Sequence, residues 1–476
     1  MRPTGSKPAQ IYGLSKVHKD DTPLRPIVSI PGTSYDKIGR FVSKWLEKVP
    51  ESKIQTSSKN VKDDIKGIVL NEGERLVSYD IVQLYTYVPL AESIEIAAKK
   101  LYEQTDEVPV DLNTFIKLTR LACSNILIKA PNGYIRQIEG LAMGIQPAPQ
   151  LANIWLSCFE QKIRNNSRLF KRYMDDILTI EMYNEIDDHL TQINSLHPNL
   201  KFTVEVENEK GELPFLDTKL IHKKDGNLES MWYRKKTDTG LAINYHALAP
   251  LKYKRNMIIT LVHRIFNSTS TYEHLHTGLM EAKQMLDYNQ YPSNWYEKII
   301  HKTLEKIIIG EPKVDPESDE DKKMVFIEYR GKITDQYVKN LISTGAPIKP
   351  IITLRKIKTA LPSLKAGVEN VIASNIIYKY TCSHCQKASY TGMTCRHFKT
   401  RVAEHLGNGE RKTAVMMHKE VCKESKPSID DFKILRKVQR HDLFYLSVME
   451  ALYIREENPI LNTKDEFKGR MLRIKI

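Results

Sequence analysis

Residues 172–178 read Arg172-Tyr173-Met174-Asp175-Asp176-Ile177-Leu178, with two adjacent carboxylates inside an apolar, β-prone segment. Successive side chains of a strand point to opposite faces, so two Asp residues buried mid-strand would be costly to desolvate. At the tip of a hairpin both stay near water and near any metal ion. The segment therefore predicts a hairpin over Leu169–Ile180 with the Asp pair at its turn. Such a turn is common by itself, so its meaning depends on what the chain brings beside it.

A third carboxylate supplies that context. Leu76-Val77-Ser78-Tyr79-Asp80-Ile81 reads as a strand ending in Asp80, and Tyr85 follows five residues later. Two strands that each end in carboxylates can converge on a pair of divalent ions about 3.5–4 Å apart, one activating a hydroxyl nucleophile and one stabilising the leaving group. Neighbouring carboxylates resist joint ionisation, and a divalent ion reverses that. Oxygen ligands of this kind suit Mg²⁺. Between the strands lies Gly140-Leu141-Ala142-Met143-Gly144-Ile145-Gln146-Pro147-Ala148-Pro149, leading into a helix expected from Gln150 to Ile163. Its glycines permit close backbone approach and its prolines set the helix entry, which suits a surface holding a template base and a nucleotide.

Working outward, strand-like and helix-like segments alternate from Arg75 to Leu220, the pattern of an α+β or α/β layer structure. One helix is expected near Ile38–Val49 and another over about Ala91–Gln104. Hairpins are expected at Ile126–Ala130/Tyr134–Ile138, around Pro131-Asn132-Gly133, and over Lys201–Ile221. Residues 250–306 read as helical, with Leu251, Met257, Ile258, Leu261, Val262 and Ile265 forming an apolar stripe. Lys252, Lys254, Arg255 and Arg264 are assigned to its polar side. The acidic, proline-broken segment 310–323 reads as a linker. Residues 324–370 read as a basic connector containing Arg355, Lys356, Lys358 and Lys365.

Composition narrows the partners. Of the 476 residues, 41% are hydrophobic and 27% charged, which is ordinary globular usage rather than that of a disordered chain. A formal net charge of +14 favours a polyanionic partner, because each neutralised phosphate releases a counterion. No apolar run approaches the roughly 20 residues that span a bilayer, so no membrane partner is expected. Six cysteines without a secretory leader point to a reducing compartment.

The last hundred residues carry their own pattern. Ile376-Ile377-Tyr378 is followed by Ser389-Tyr390-Thr391-Gly392, then by Arg401 and His405, four apart and so on one helical face. Glu450 sits in the apolar helix Leu443–Tyr453, where a carboxylate is costly unless paired or metal-bound, and Asn462 follows in a turn. A tyrosine can help activate water, an arginine can stabilise phosphorane charge, and Glu450 can hold a divalent ion. Cys382-x-x-Cys385 and His418-x-x-x-Cys422 have spacings suited to tetrahedral Zn²⁺, with His384 or His405 as replacement ligands and unligated thiols as the plain alternative. Cys123, Cys158 and Cys395 read as ordinary thiols.

Together these stretches resemble successive motifs of reverse transcriptases: Arg25-Pro26-Ile27-Val28-Ser29, Tyr79-Asp80 with Leu84-Tyr85-Thr86, Met143-Gly144 to Pro149, and Tyr173-Met174-Asp175-Asp176. Leu213-Pro214-Phe215-Leu216-Asp217 resembles the following segment, near the primer grip, and Tyr12–Lys19 resembles the opening of this domain in Penelope-like retroelements. The tail resembles a GIY-YIG endonuclease over about residues 374–465, although Ile377 precedes the first Tyr and Thr391 stands inside the second triplet. Ala148 and Ser15 also depart from the usual Ser and Pro of the polymerase pattern.

The resemblance implies an α+β multidomain protein: a right-hand polymerase (fingers, palm and thumb) followed by a small α/β GIY-YIG nuclease domain. Fingers and palm would occupy 1–240, a helical thumb 241–309, the linker and connector 310–370, and the nuclease 371–476. Asp80, Asp175 and Asp176 would be the catalytic Mg²⁺ (or Mn²⁺) ligands, Tyr85 the gate against a 2′-hydroxyl, and Arg25 a triphosphate contact. Met143, Gly144 and Pro149 would line the template and nucleotide site. In the tail, Tyr378, Tyr390, Arg401, His405 and Glu450 would be catalytic, with Glu450 holding Mg²⁺. The implied activity is target-primed reverse transcription in the nucleus, with element RNA, genomic DNA and dNTPs as partners. The chain begins almost at the first motif, so a preceding region of relatives is expected to be missing. Two readings stay open beside this one: an active polymerase whose tail only binds nucleic acid, and a non-catalytic RNA-binding scaffold. No motif specifies an oligomeric state.

Overall fold

The computed structural model describes residues 6–17, 21–50, 52, 54–164, 167–310, 323–354, 369–409, 412–424, 426–438 and 443–462. In chain order its strands are β1 (Ala9–Ser15), β2 (Leu24–Ser29), β3 (Glu74–Ile81), β4 (Ile126–Ala130), β5 (Gly133–Gln137), β6 (Phe170–Tyr173), β7 (Asp176–Met182) and β8 (Phe202–Val206). Then come β9 (Glu212–Phe215), β10 (Thr218–His222), β11 (Leu228–Trp232), β12 (Lys323–Glu328), β13 (Ile348–Thr353), β14 (Ile376–Thr381), β15 (Ser389–Thr394) and β16 (Phe432–Lys437).

The central sheet has the order β6-β7-β3-β8. Period-two alternation decides what covers each face. Val77, Tyr79, Ile81 and Ile177 enter a large core with the helices Ser34–Leu46, Leu90–Gln104, Leu112–Cys123 and Ala148–Leu156. Leu76, Leu178 and Ile180 enter a second core, against Leu213, Phe215 and Leu220 of the β11-β10-β9 sheet. With Leu76 in one core and Val77, Tyr79 and Ile81 in the other, β3 is covered on both sides and fixed in register. Trp155 is buried in the first core and its indole N–H donates to Glu92 at 3.1 Å, so the large ring leaves no polar atom unmet. The fully buried side chain contributes on the order of 1.5–3 kcal/mol.

A second sheet, β2-β1-β4-β5, joins β1 to β4 in parallel and flanks the first core. Three helices, Leu251–Ser268, Tyr272–Tyr288 and Ser293–Ile309, pack around Ile258, Val262, Leu286, Tyr291 and Ile300. The tail forms its own antiparallel sheet, β15-β14-β16, with one core around Tyr378, Tyr380, Phe398 and Phe432. The helix Leu443–Glu457 supplies Leu446 and Met449 to a separate cluster with Ile377, which on β14 points to the opposite face from Tyr378.

Several expectations are corrected. The single helix over Gln150–Ile163 is two helices, Ala148–Leu156 and Glu160–Arg164. At the break, Cys158 and Phe159 donate to the carbonyls three residues back, and the Ser157 hydroxyl caps Ile154 O at 2.6 Å. The hairpin over Lys201–Ile221 does not form. Instead β8 pairs with β3 because Phe202, Val204 and Val206 belong to the first core, and β9 turns back tightly into β10. Lys254 does not lie on the polar side: it is buried, and its ammonium donates to the carbonyls of Tyr245 and Ala247 at 2.6 and 2.8 Å. Arg264 does reach solvent but is held by Asp217. The supposed connector includes a strand-helix-strand unit, with β12 and β13 parallel across the helix Lys332–Ser343. Most of the expected linker (311–322), and Arg355, Lys356, Lys358 and Lys365, lie outside the described residues, as do His18 and Lys19.

Candidate active sites

The first site is built by register. Asp80 and Asp176 are direct Cα partners across the antiparallel β3–β7 pair, and the β6–β7 turn carries Met174 and Asp175 beside them. The Ile81 N–H donates to the Asp175 carbonyl at 3.2 Å, tying that turn to the end of β3. Met174 takes the left-handed conformation, φ 55°, which a side chain with a Cβ adopts at a cost of about 1–3 kcal/mol. All three carboxylates are half-buried. The Asp176 carboxyl is pushed up to about 6, first by burial and then by the charges of Asp175 and Asp80, with Lys235 pulling the other way. Three crowded carboxylates with this shift form a donor set that fits divalent cations, because added positive charge relieves both the repulsion and the burial penalty.

The wall of this site is fixed by two glycines. Gly140 has φ 71°, and a Cβ there would lie 2.3 Å from the Thr86 carbonyl oxygen. The next residue, Leu141, donates its N–H to Tyr85 O at 2.7 Å, so the loop holds the Tyr85 turn from behind. Gly144 has φ 117°, and a Cβ would lie 2.3 Å from Val28 O, while Val28 N–H donates to Met143 O at 2.8 Å. The Met143–Gly144 loop is thus sutured to β2 on one side and to Tyr85 on the other. Burial, then the nearby charge of Asp175 and the phenol of Tyr173, raises the Tyr85 phenol above its ordinary value. Pro149 is exposed in the first turn of the helix Ala148–Leu156. Arg25 is exposed near the turn end of the β1–β2 hairpin, opposite Leu14, and makes no ion pair among the described residues.

The second cluster sits in the tail. The Arg401 Nε donates to the Tyr378 hydroxyl at 2.9 Å, and that hydroxyl lies 2.8 Å from His405 Nε2. Arg401 stands on the helix Phe398–Ala403, and His405 follows in the next turn, so the four-residue spacing does bring them together. The Tyr390 ring is 5.3 Å from that of His405. Gly392 is demanded by sterics: a Cβ would lie 2.9 Å from Tyr378 Oη and 2.7 Å from the Tyr390 ring. Burial, then Arg401, lowers His405 to about 3, so its imidazole is neutral near pH 7 and accepts from the tyrosine hydroxyl. Its Nδ1 is buried with no partner among the described residues. Glu450 reaches the sheet from the opposite layer, where its carboxylate accepts from Met393 N–H at 2.9 Å. Asn462 brackets Thr391 by accepting from its N–H and donating to its carbonyl, each at 2.8 Å. Glu404, overlooked in the sequence, receives Arg401 and Arg396 and orients the former.

Cys382, Cys385, His418 and Cys422 converge, with ligand atoms all within 4.8 Å of one another. Two flank the turn after β14, and two come from the end of the helix Ala414–Val421. Three thiols and an imidazole at that separation fit a tetrahedral metal. His384 pairs with Glu424, and His405 with Tyr378, so neither replaces a ligand.

Residues 17–213 match the family described as reverse transcriptase (RNA-dependent DNA polymerase), and residues 241–301 match the animal helix-turn-helix domain. The chain therefore carries a reverse transcriptase domain, an enzyme class that uses divalent metal, followed by a helix-turn-helix segment. No curated protein matches. Among solved structures, the chain is similar to telomerase from Candida albicans in complex with a telomeric RNA fragment, at 13% identity and TM-score 0.43, covering 64% of this chain and 60% of that one. Apo telomerase from Candida tropicalis is similar at 10% identity and TM-score 0.39, over 65% and 62%. An insertion-loop deletion mutant of a human picobirnavirus RNA-dependent RNA polymerase is similar at 11% identity and TM-score 0.37, over 64% and 68%. The chain thus spans about 60% of the length of these telomerases. None of the described helices is long and apolar enough to cross a membrane.

Proposed function

We propose that this protein is the RNA-directed DNA polymerase of a Penelope-like retroelement whose tail is a GIY-YIG endonuclease, acting by target-primed reverse transcription. The observation that carries the polymerase half is the direct pairing of Asp80 with Asp176 beside Asp175. These carboxylates would hold Mg²⁺ or Mn²⁺, which when bound supplies Lewis-acid stabilisation of the nucleophile and leaving group. Tyr85, held by Leu141, stands as the gate against a 2′-hydroxyl, and the Met143–Gly144 loop forms the floor for the paired base and dNTP. The helices from Leu251 to Ile309, which contain the helix-turn-helix match, serve as a thumb along the duplex backbone. Fingers and palm fill 1–240, the thumb 241–309, and the nuclease 371–476.

In the tail, Arg401 and neutral His405 hold the Tyr378 hydroxyl by hydrogen bonds, and that hydroxyl, which burial keeps protonated, would position the attacking water. Tyr390 packs its ring near His405 and Tyr378, and Glu450 would hold the divalent ion for phosphodiester cleavage. The Cys382/Cys385/His418/Cys422 site would bind structural Zn²⁺ and clip the insertion before β15 to the helix Ala414–Val421. The nick in genomic DNA provides the 3′-hydroxyl from which element RNA is copied, a reaction located in the nucleus.

The test combines element RNA, duplex target DNA and dNTPs with the full chain. Complementary DNA covalently joined to the nicked strand supports the reading. Extension of supplied primers without any nicking removes the nuclease half and leaves a tail that only binds nucleic acid.

A further inference from the structure

β6 runs Phe170-Lys171-Arg172-Tyr173, and alternation puts Arg172 on the same inward face as Phe170. Arg172 is fully buried, and no other Arg or Lys among the described residues is. An arginine survives there only if its donors are met. Its Nε and Nη2 donate to Glu160 Oε1 at 2.8 and 2.5 Å, and Glu160 is itself buried. Its Nη1 donates to Asn153 Oδ1 at 2.6 Å and to the Met174 carbonyl at 2.9 Å. The last bond matters most, because Met174 is the left-handed residue at the tip of the turn carrying Asp175 and Asp176. The backbone of Arg172 is held as well: it donates to Ile54 O at 3.0 Å and accepts from Thr56 N at 2.9 Å.

A strained turn persists only where its surroundings over-determine it. Two of those surroundings stand on the helices either side of the 157–159 break, Asn153 on Ala148–Leu156 and Glu160 at the start of Glu160–Arg164. The first of these helices follows directly from the Met143–Gly144 loop. One guanidinium therefore ties the nucleotide-floor helix to the carboxylate turn. Its planar fork reaches Glu160 in one direction and Met174 O in the other, which the single point charge of a lysine does not reproduce.

We propose that Arg172 is a positioning residue for polymerisation: it acts through the Met174 carbonyl to set Asp175 and Asp176 for metal binding and to couple that turn to the floor of the nucleotide site. This rests on the polymerase reading of the site.

The experiment uses the full chain and compares wild type with Arg172→Lys and with the double variant Arg172→Met/Glu160→Leu. The double variant replaces a buried ion pair by apolar side chains, an exchange that often leaves stability intact while removing the bond to Met174. Three quantities are read: melting temperature, kcat and KM for dNTP in primer extension, and Mn²⁺ binding by electron paramagnetic resonance titration. The expected result is a cooperative fold in both variants, kcat lower by about 100-fold with KM for dNTP within a few-fold, and Mn²⁺ binding weakened by about tenfold. A folded variant with wild-type kcat and wild-type Mn²⁺ affinity overturns the proposal and makes Arg172 a packing residue alone. If the double variant does not fold, Arg172→Lys decides: full activity and unchanged Mn²⁺ binding overturn the proposal. Failure of the polymerase reading looks different, because wild type itself then extends no primer, and the Mn²⁺ comparison still tests Arg172.

Discussion

The two candidate sites solve opposite electrostatic problems. In the reverse transcriptase domain, burial and then the charges of Asp175 and Asp80 push Asp176 up to about 6, so the site stores a penalty that a divalent cation relieves. In the tail, a buried tyrosine, a neutral histidine and an arginine already satisfy one another through the Tyr378 hydroxyl. The first arrangement is poised for metal. The second is a hydrogen-bonded cluster set around one hydroxyl, with Glu450 approaching from the other layer. The lesson is that burial favours the neutral form in both: it raises a carboxyl until metal arrives, and it keeps the imidazole and the phenol uncharged.

The sharpest way to break this comparison is to disable one site and read the other. Asp80→Asn should lower primer extension on the order of 10³-fold, as expected for a lost metal ligand, while nicking is unchanged. A parallel loss of both activities would show that the two sites are not independent. His405→Ala should act in reverse, reducing nicking about 10²–10³-fold and leaving extension intact, measured on supercoiled plasmid and on primed RNA respectively.

A pH series then tests the stored penalty. Asp176 titrates above its ordinary value, so the metal-free fold is favoured by this group at low pH and loses that contribution as pH rises through about 6. Metal must displace the proton below that point. Apparent Mg²⁺ affinity in extension should therefore weaken by up to about tenfold per pH unit below 6 and level off above it. A flat affinity between pH 5 and 7 would remove the argument. The smallest expected effect is at Gly140. Gly140→Ala forces a Cβ toward the Thr86 carbonyl at a left-handed position, costing about 1–3 kcal/mol in stability and relaxing discrimination against ribonucleotides as Tyr85 shifts. Thermal melting and a dNTP/rNTP competition would measure both.

The carboxylate site was legible because its residues are local. Asp80 ends one apolar strand, Asp175 and Asp176 sit at one turn, and period two sets their faces. The glycines of 140–144 also declared themselves, since only close backbone approach requires them. What escaped depends on partners distant in sequence. Lys254 looked like solvent-facing charge, yet two carbonyls of the preceding loop hold its ammonium. Phe202, Val204 and Val206 carry an ordinary strand pattern that fits a local hairpin or an edge of β3 equally well, and core contact chose the latter. Arg172 was visible as a letter beside the Asp pair, but Glu160 and Asn153 could not be joined to it without the helix break at 157–159. In the tail, the helical spacing of Arg401 and His405 gave their shared face, whereas Glu404's grip on Arg401 carried no separate signal.

The measurement that tests the central claim most directly is divalent-dependent extension of a DNA primer on an RNA template, comparing wild type with Asp175→Asn. The account predicts extension by wild type in Mg²⁺ or Mn²⁺ and none by the variant, with both proteins melting at similar temperatures. Equal extension by the two would contradict it, because Asp175 would then not belong to the metal-binding set on which the site is built.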